Sequence, residues 1–135
     1  MKPIPTFTSS DHKLLKKITK TNLSATSARE IKLLMEELDR GNIVEDNTLE
    51  NNDIIRINSE VIIEDMSTQK QMKFQIVLPS QANIKESKYS VLVPLSVAII
   101  GFKVNDQVDW ELPAGNKTLK VIAVNNGNKF SKHLF

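Results

Sequence analysis

The spacing of apolar residues changes once along this chain, at a polar and acidic segment covering residues 42–53. Before that segment, apolar residues recur every three or four positions, a pattern that predicts amphipathic helices. The clearest helical stripe consists of Ile31, Leu34, Met35 and Leu38. After the segment, apolar residues alternate with polar ones, which predicts strands with one buried face. The first alternating set is Ile55, Ile57, Val61 and Ile63. The sequence therefore predicts an α+β fold with the helices at its N-terminal end.

The N-terminal part, residues 1–46, is predicted to form a short antiparallel helical hairpin. Residues 1–9 are rich in proline and threonine and are expected to be loose. A first helix is expected from Ser10, and its apolar face consists of Leu14, Leu15 and Ile18. A second helix is expected to start at Ser27 and to be ended by Gly41. Ser27 and the glutamate three residues later have the spacing of a capping box. Because the connection is short, the helices are expected to fold back on each other.

Residues 47–135 are predicted to form an antiparallel sheet of about five strands with one short helix packed on it. The expected strands lie near residues 55–63, 72–78, 89–93, 107–112 and 119–123. The core-facing residues expected in the last two strands are Val108, Trp110, Leu112, Leu119, Val121 and Ala123. A tail from about residue 126 is expected to fray.

The stretch VPLSVAIIG is apolar except for one serine, and a proline stands near its start. Proline lacks the N–H that a sheet ladder needs, but it suits the first position of a helix. We therefore expect a strand over Tyr89–Val93 to stop there and a short buried helix to cover Pro94–Ile100. Ser90 is expected to point out from the strand, and Ser96 is expected to cap the helix or face solvent.

The composition argues against several classes of function. The chain has 135 residues, a formal net charge of +2 and no cysteine, which excludes disulfides and thiolate metal sites. No apolar run approaches the roughly 20 residues that span a bilayer, and no secretory signal is recognisable, so we expect a cytoplasmic protein without membrane contact. Neither His12 nor His133 has a second ligand nearby, and no phosphate-binding glycine loop occurs. We expect a binding module with no cofactor, no metal site and no catalytic residues.

Two groups of charged residues allow more than one interpretation. Four lysines share one face of the first predicted helix: Lys13, Lys16, Lys17 and Lys20. Acidic residues gather in and after the second helix: Glu36, Glu37, Asp39, Glu45, Asp46, Glu50 and Asp53. A solvated surface is the simplest interpretation of both groups. The alternatives are an acidic or nucleic-acid partner for the lysines and Mg²⁺ for the carboxylates.

The stretch YSVLVPLSVAIIGFKVNDQVDWELPAG resembles the C-terminal domain of the Gre transcript-cleavage factors, which bind bacterial RNA polymerase. The resemblance rests on an ordered series: a strand, a proline junction, a small helix ending in glycine, a strand start and a P-x-G hairpin. The matching residues are Ser90, Val91, Pro94, Ala98, Ile99, Ile100, Gly101, Asp106, Val108, Pro113 and Gly115. Two positions depart from the family pattern, since Val93 replaces a serine and Ala114 replaces a second glycine.

Three further motifs resemble the short Gre-like proteins of the Rnk group, regulators of nucleoside diphosphate kinase. They are ELDRG at Glu37–Gly41, IRINSEV at Ile55–Val61 and WELPAG at Trp110–Gly115. The resemblance covers about residues 10–124 and implies an FKBP-like fold for the sheet domain. It also implies docking on core RNA polymerase through the exposed rim of the strand–proline–helix junction. The residues expected at that contact are Ser90, Pro94, Leu95 and Ser96.

Gre factors also carry a long coiled coil whose acidic tip helps to hold the catalytic Mg²⁺ of the polymerase. The second helix expected here, Ser27–Arg40, would be only about 20 Å long. The stretch Thr19–Thr26 at the expected tip contains no Asp or Glu. We therefore expect a non-enzymatic transcription regulator that binds RNA polymerase without stimulating transcript cleavage. We expect a monomer or weak dimer that does not bind specific nucleic-acid sequences directly.

Two other functions remain open from the sequence. An FKBP-like fold could have isomerase activity, although one tyrosine and one tryptophan leave little aromatic lining for a proline pocket. The chain could also be a protein-binding or dimerisation module unrelated to transcription. In that case Ile31, Leu34, Met35 and Leu38 would seal a dimer instead of an intramolecular hairpin.

Overall fold

The computed structural model of the chain describes residues 4–21, 28–45, 53–112 and 115–126. Its elements are, in order, β1 (Thr6–Thr8), α1 (Ser9–Thr21), α2 (Ala28–Arg40), β2 (Asn42–Val44), β3 (Glu60–Asp65), β4 (Lys70–Val77), β5 (Lys88–Ser90), α3 (Pro94–Ile99), β6 (Gln107–Leu112) and β7 (Gly115–Asn125). The predicted α+β class, with a helical hairpin before a mainly antiparallel sheet, is confirmed. The expected cap at Ser27, the hairpin tip, the turn at 113–114 and the tail with His133 lie outside the described residues.

Helices α1 and α2 pack against each other in an antiparallel arrangement. The Nε2 atom of His12, near the start of α1, lies 3.1 Å from the carbonyl oxygen of Leu38, near the end of α2. The buried apolar residues of the pair are Leu15, Ile18, Ile31, Leu34 and Leu38. Leu14 and Met35, which were expected on the same faces, are exposed instead. Each adjoins a buried leucine in the chain, and adjacent residues on a helix point about 100° apart.

The first helix is capped by a residue that precedes the predicted start. Thr8 Oγ1 accepts a hydrogen bond from Asp11 N at 3.3 Å, which satisfies one of the free amide groups of the first turn of α1. The carboxylate of Asp11 in turn pairs with the guanidinium of Arg56, at 3.1 Å between Oδ2 and Nε. Both Thr8 and Asp11 are buried. The start of the hairpin is therefore bonded to the chain segment that leads into the sheet.

The main sheet has five strands in the order β5-β4-β3-β7-β6. All neighbouring pairs are antiparallel except β4 and β5, which are parallel. The antiparallel pairing predicted from the sequence is therefore found for every neighbouring pair except this one at the edge. Residues 78–87, which include two 3-10 turns, return the chain past the end of β4. Strand β5 therefore starts beside Gln75 and runs in the same direction as β4.

A bulge changes which residues of β7 are buried. Opposite β3, Ile62 pairs with Ala123 while Ile63 pairs with Val121, which leaves Ile122 as an extra residue. Because an extra residue shifts the two-residue alternation of a strand, burial passes from Leu119 and Val121 to Val124. The prediction that Ala123 faces the core is therefore wrong. Trp110, which was also predicted to be in the core, packs against the core but is only partly buried.

Strand β3 starts later than expected because residues 56–59 form a turn. Asn58 has a positive φ of 77°, and the hydroxyl of Ser59 accepts a hydrogen bond from Arg56 N at 2.7 Å. The side chain of Asn126 contacts the same hydroxyl and donates to Ile54 O at 2.9 Å. The INS part of the IRINSEV motif thus forms a turn that is bonded to the end of β7.

Residues at the N-terminal end form an unexpected connection between the hairpin and the sheet. Strand β1 pairs in parallel with β2, which directly follows α2. The amide of Thr6 also donates to Gly101 O at 2.8 Å, and the amide of Asn42 donates to Pro5 O at 2.9 Å. The expectations of loose residues at 1–9 and of a linker at 42–53 are therefore wrong for β1 and β2. We refer to β1, β2 and the two glycines beside them, Gly41 and Gly101, as the hairpin join.

The buried ring of Phe7 fills the space between those two glycines. A Cβ atom added to Gly41 would lie 2.6 Å from Phe7 Cε2, and one added to Gly101 would lie 3.0 Å from Cε1. Gly101 also has a φ angle of +87°, a backbone conformation that residues other than glycine rarely adopt. The ring of His12 approaches Phe7 edge-on, with ring centroids 6.0 Å apart. One continuous apolar core consequently includes residues of both the hairpin and the sheet.

Candidate protein-binding edge

The strand–proline–helix junction begins at the outer edge of the sheet, where β5 pairs only with β4 within the described part of the chain. Val91 N donates to Val77 O at 2.8 Å and keeps the chain beside β4 for one more residue. The chain then turns, because Ser90 Oγ accepts from Leu92 N at 3.1 Å and Ser90 O accepts from Val93 N at 3.2 Å. The expected strand over Tyr89–Val93 is therefore shorter and ends at Ser90.

Helix α3 begins with Pro94 in its first turn, as predicted. The residue before it, Val93, has the extended backbone of a helix cap (φ −74°, ψ 153°) but no side-chain hydrogen bond to the helix. Val93 is the position at which the sequence departs from the serine of the Gre pattern described above. Pro94 itself is exposed, so the fixed backbone of the turn presents its ring at the surface.

Only two of the four residues expected at the partner contact reach the surface. Ser90 is half-buried and Pro94 is exposed, whereas Leu95 is 6% exposed and Ser96 is 0% exposed. Helix α3 packs against α2 and β6, and the rotation of about 100° per residue directs these two side chains inward. The expectation that Ser96 caps the helix or faces solvent is wrong. Its Oγ atom has no hydrogen-bond partner among the described residues.

The end of α3 is bonded to the segment before β3. Gly101 N donates to Ile55 O at 3.0 Å, and Ile55 N donates to Phe102 O at 2.8 Å. Ile99, Ile100 and Phe102 are fully buried beside this pair of hydrogen bonds. The inner side of the junction is therefore part of the core, and its outer side is held in one position by that core.

A loop that was not among the residues expected at the site lies directly before β5. Residues 83–88 are closed by two hydrogen bonds, from Asn83 N to Lys88 O (2.8 Å) and from Lys88 N to Asn83 O (3.0 Å). The side chain of Asn83 caps the 3-10 turn by accepting from Lys85 N at 3.2 Å. We refer to this loop, β5 and the turn to Pro94 together as the β5 edge. The sequence signal for it was asparagine at a cap position, which is a common turn residue.

None of the residues in the two charged groups of the sequence analysis belongs to the β5 edge. The four lysines of α1 are all exposed. Glu37, expected in a solvated acidic cluster, is instead buried and bonded to Arg40 at 2.7 Å. Asp46 and Glu50 lie outside the described residues. Within the ranges that the structure covers, no group of three or more acidic or histidine side chains could hold a metal ion.

Asp65, at the end of β3, has a strongly lowered pKa. The hydroxyl of Ser67 donates to Oδ1 at 2.7 Å, and the ammonium of Lys117 donates to Oδ2 at 3.0 Å. The amide of Ser67 donates to Oδ1 as well, at 2.9 Å. These donors favour the charged carboxylate and therefore lower its pKa. The cluster lies beside Lys70, at the opposite end of β4 from the residues that pair with β5.

A family model described as "Transcription elongation factor, GreA/GreB, C-term" matches residues 50–126, more than half of the chain. The chain belongs to the GreA/GreB family. The match includes the whole five-stranded sheet and the β5 edge, while the helical hairpin precedes it. The more specific assignment to the Rnk group stays a prediction.

Two relatives show how much of a GreA/GreB protein is present. The chain is 39% identical over 72 residues to the transcription elongation factor GreA of Syntrophus aciditrophicus (strain SB), and 37% identical over 89 residues to that of Thermotoga sp. (strain RQ2). These matches cover 53% and 66% of this chain but 45% and 56% of the relatives. The chain thus spans about half the length of the curated relatives it matches.

A solved structure supports the fold. The GreA/GreB elongation factor from Nitrosomonas europaea superimposes with a TM-score of 0.70 and 22% sequence identity. The superposition covers 92% of this chain and 99% of that chain. That protein therefore shares the fold of this chain over most of the length of both. Among the helices in the described ranges, none combines the length and the apolar character needed to cross a membrane.

Proposed function

We propose that the chain is a non-enzymatic, cytoplasmic transcription regulator of the Rnk type that binds RNA polymerase through the β5 edge. The observation that carries this proposal is an exposed edge with a fixed backbone inside the region that matches the GreA/GreB family. Pro94 stands at the surface of that edge, and Ser90 fixes the turn before it. A surface that is already ordered loses little conformational entropy when it binds a partner.

We propose further that this binding does not stimulate transcript cleavage. Helices α1 and α2 have 13 residues each, and a helix of that length measures about 20 Å. The six residues between them, NLSATS, include no carboxylate that could help to hold a metal ion. Such a hairpin would lie at the entrance of the polymerase channel without reaching the active site. It would exclude longer channel-binding factors from that entrance.

The dimerisation alternative is weakened by where the apolar stripe of α2 lies. Ile31, Leu34 and Leu38 are buried within the chain, which leaves only Met35 of that stripe exposed. An interface that relied on the stripe would require the hairpin to open and expose its core to water, at a large cost in free energy. The stripe is therefore better explained as the inner face of the hairpin.

Direct binding to core RNA polymerase tests the proposal. The full chain should bind saturably, and Pro94→Ala should weaken binding by about tenfold, as expected for an interface residue worth more than 1 kcal/mol. A matched variant carrying Lys13→Gln, Lys16→Gln and Lys20→Gln changes only exposed residues of α1 and should bind as the wild type does. Absence of saturable binding at micromolar concentration would contradict the proposal. Equal loss in both variants would place the contact outside the β5 edge.

A further inference from the structure

The loop that precedes β5 holds one apolar side chain almost entirely in solvent. Ile84 is 79% exposed, more than the other exposed large apolar side chains of the described residues, among which Ile43 is 55% exposed. Single apolar residues at a surface are common and need no special explanation on their own. The position of Ile84 is informative because of how the backbone around it is held.

Ile84 lies in a loop whose backbone is almost fully hydrogen-bonded. Besides the two bonds that join Asn83 to Lys88, Ile84 O accepts from Ser87 N at 3.0 Å and Asn83 O accepts from Glu86 N at 3.0 Å. Ser87 ends the 3-10 turn in the left-handed conformation, with φ +57°. The loop thus has the internal bonds of a fixed structure. Ile84 projects from the loop with most of its side chain in solvent.

The loop is attached to the same edge of the sheet as the proposed polymerase contact. Gln75 N donates to Ser87 O at 2.8 Å, which continues the β4–β5 ladder into the loop. Only Tyr89 separates Lys88, which closes the loop, from Ser90, where the turn to Pro94 begins. Ile84 and Pro94 therefore flank one short edge strand.

The charged residues of the loop and of the adjoining part of β4 are mainly positive. Lys85 and Lys73 are exposed, and Lys73 lies on β4 two residues before the position that pairs with Lys88. Lys88 pairs with Glu86 at 3.2 Å, so the one acidic residue of the loop is already neutralised by a neighbour. A partner surface with carboxylates around its contact area would complement this edge.

We propose that Ile84 is the apolar anchor of the β5 edge and inserts into an apolar pocket, rimmed by carboxylates, on RNA polymerase. The inference rests on the proposed function, since it adds a residue to the same docking surface. Apolar anchors in fixed conformations contribute strongly to protein interfaces because they bury area at little entropic cost. The lysines beside the anchor would increase the association rate and make binding sensitive to salt.

The test compares two isoleucines that are both exposed but lie on different parts of the molecule. Ile84→Ser in the full chain should raise the Kd for core RNA polymerase by at least about tenfold. Ile43→Ser, on β2 of the hairpin join, should change it by less than about twofold. Both variants should keep a melting temperature within about 2 °C of the wild type, because both side chains are exposed. Lys85→Glu should weaken binding more at low salt than at high salt.

The outcomes separate the inference from the function on which it rests. If the wild type binds and Ile84→Ser binds equally well, the anchor is wrong while the proposed function stands. If the wild type does not bind, the proposed function fails, and the polymerase anchor fails with it. If the wild type is instead a dimer in solution and Ile84→Ser is a monomer, the β5 edge contacts a second copy of the chain and the proposed partner is overturned.

Discussion

The hairpin join and the β5 edge are both short stretches of backbone attached to the same sheet, yet they differ in burial and bonding. At the join, the ring of Phe7 fills a space that two glycines leave open, and the surrounding amides bond across from the hairpin to the sheet. At the β5 edge, the loop and the turn bond mainly to themselves and to β4, and they leave Ile84 and Pro94 in solvent. A fixed backbone can therefore serve either stability or binding. Which one it serves depends on where its apolar side chains point.

The largest expected effect comes from removing the buried ring at the hairpin join. Phe7→Ala should lower the free energy of unfolding by about 3–5 kcal/mol, because it leaves a cavity between the hairpin and the sheet. Leu14→Ala, on the exposed side of α1, should cost less than about 1 kcal/mol and serves as the control. Denaturant unfolding with a constant slope would measure both. A cost below about 1 kcal/mol for Phe7→Ala would show that the join is not packed as described.

A smaller gain in stability is expected at the β5 edge, where the cap of α3 is incomplete. Val93→Ser would place a hydroxyl where it can accept a hydrogen bond from a free amide of the first turn. It should raise the free energy of unfolding by about 1 kcal/mol. Val93→Ala removes the same side chain without offering an acceptor and should not stabilise the chain. Thermal unfolding of both variants distinguishes them, and equal melting temperatures would contradict the assigned cap position.

The smallest expected effect is on the pH dependence of unfolding, and it comes from Asp65, which belongs neither to the hairpin join nor to the β5 edge. Because its pKa is lower in the folded chain than in the unfolded chain, Asp65 stabilises the fold above the ordinary carboxyl pKa of about 4. That contribution is lost as pH falls below about 4, where the unfolded chain takes up the proton first. Asp65→Asn should therefore make unfolding less sensitive to pH in that range. An unchanged pH dependence in this variant would contradict the role of the Ser67 and Lys117 hydrogen bonds.

The sequence predicted what depends on neighbouring residues. The apolar spacing of α2 and the alternation in β4 follow from the local geometry of a helix and a strand. Pro94 could be predicted to start a helix because proline has no N–H and its φ angle already suits the first helical position. Other features depend on contacts between distant residues. Phe7 has no periodic apolar neighbours, and its partners Gly41 and Gly101 come much later in the chain.

The candidate site was predictable only in outline for the same reason. The junction and its proline were recognised, but the direction of β5 depends on how residues 78–87 fold. The burial of Leu95 and Ser96 depends on α2 and β6, which pack against α3 from elsewhere in the chain. The exposure of Ile84 could not be predicted from the sequence either, because an isoleucine in a polar loop has the same sequence pattern whether it is buried or exposed.

The rate of transcript cleavage in a backtracked RNA polymerase complex saturated with this chain decides whether the chain stimulates cleavage. The chain alone should leave cleavage at its intrinsic rate, because its helices have 13 residues each and the six residues between them include no carboxylate. When a full-length GreA is also present, added chain should lower the GreA-stimulated rate as the two compete for polymerase. Faster cleavage with the chain alone would contradict the account.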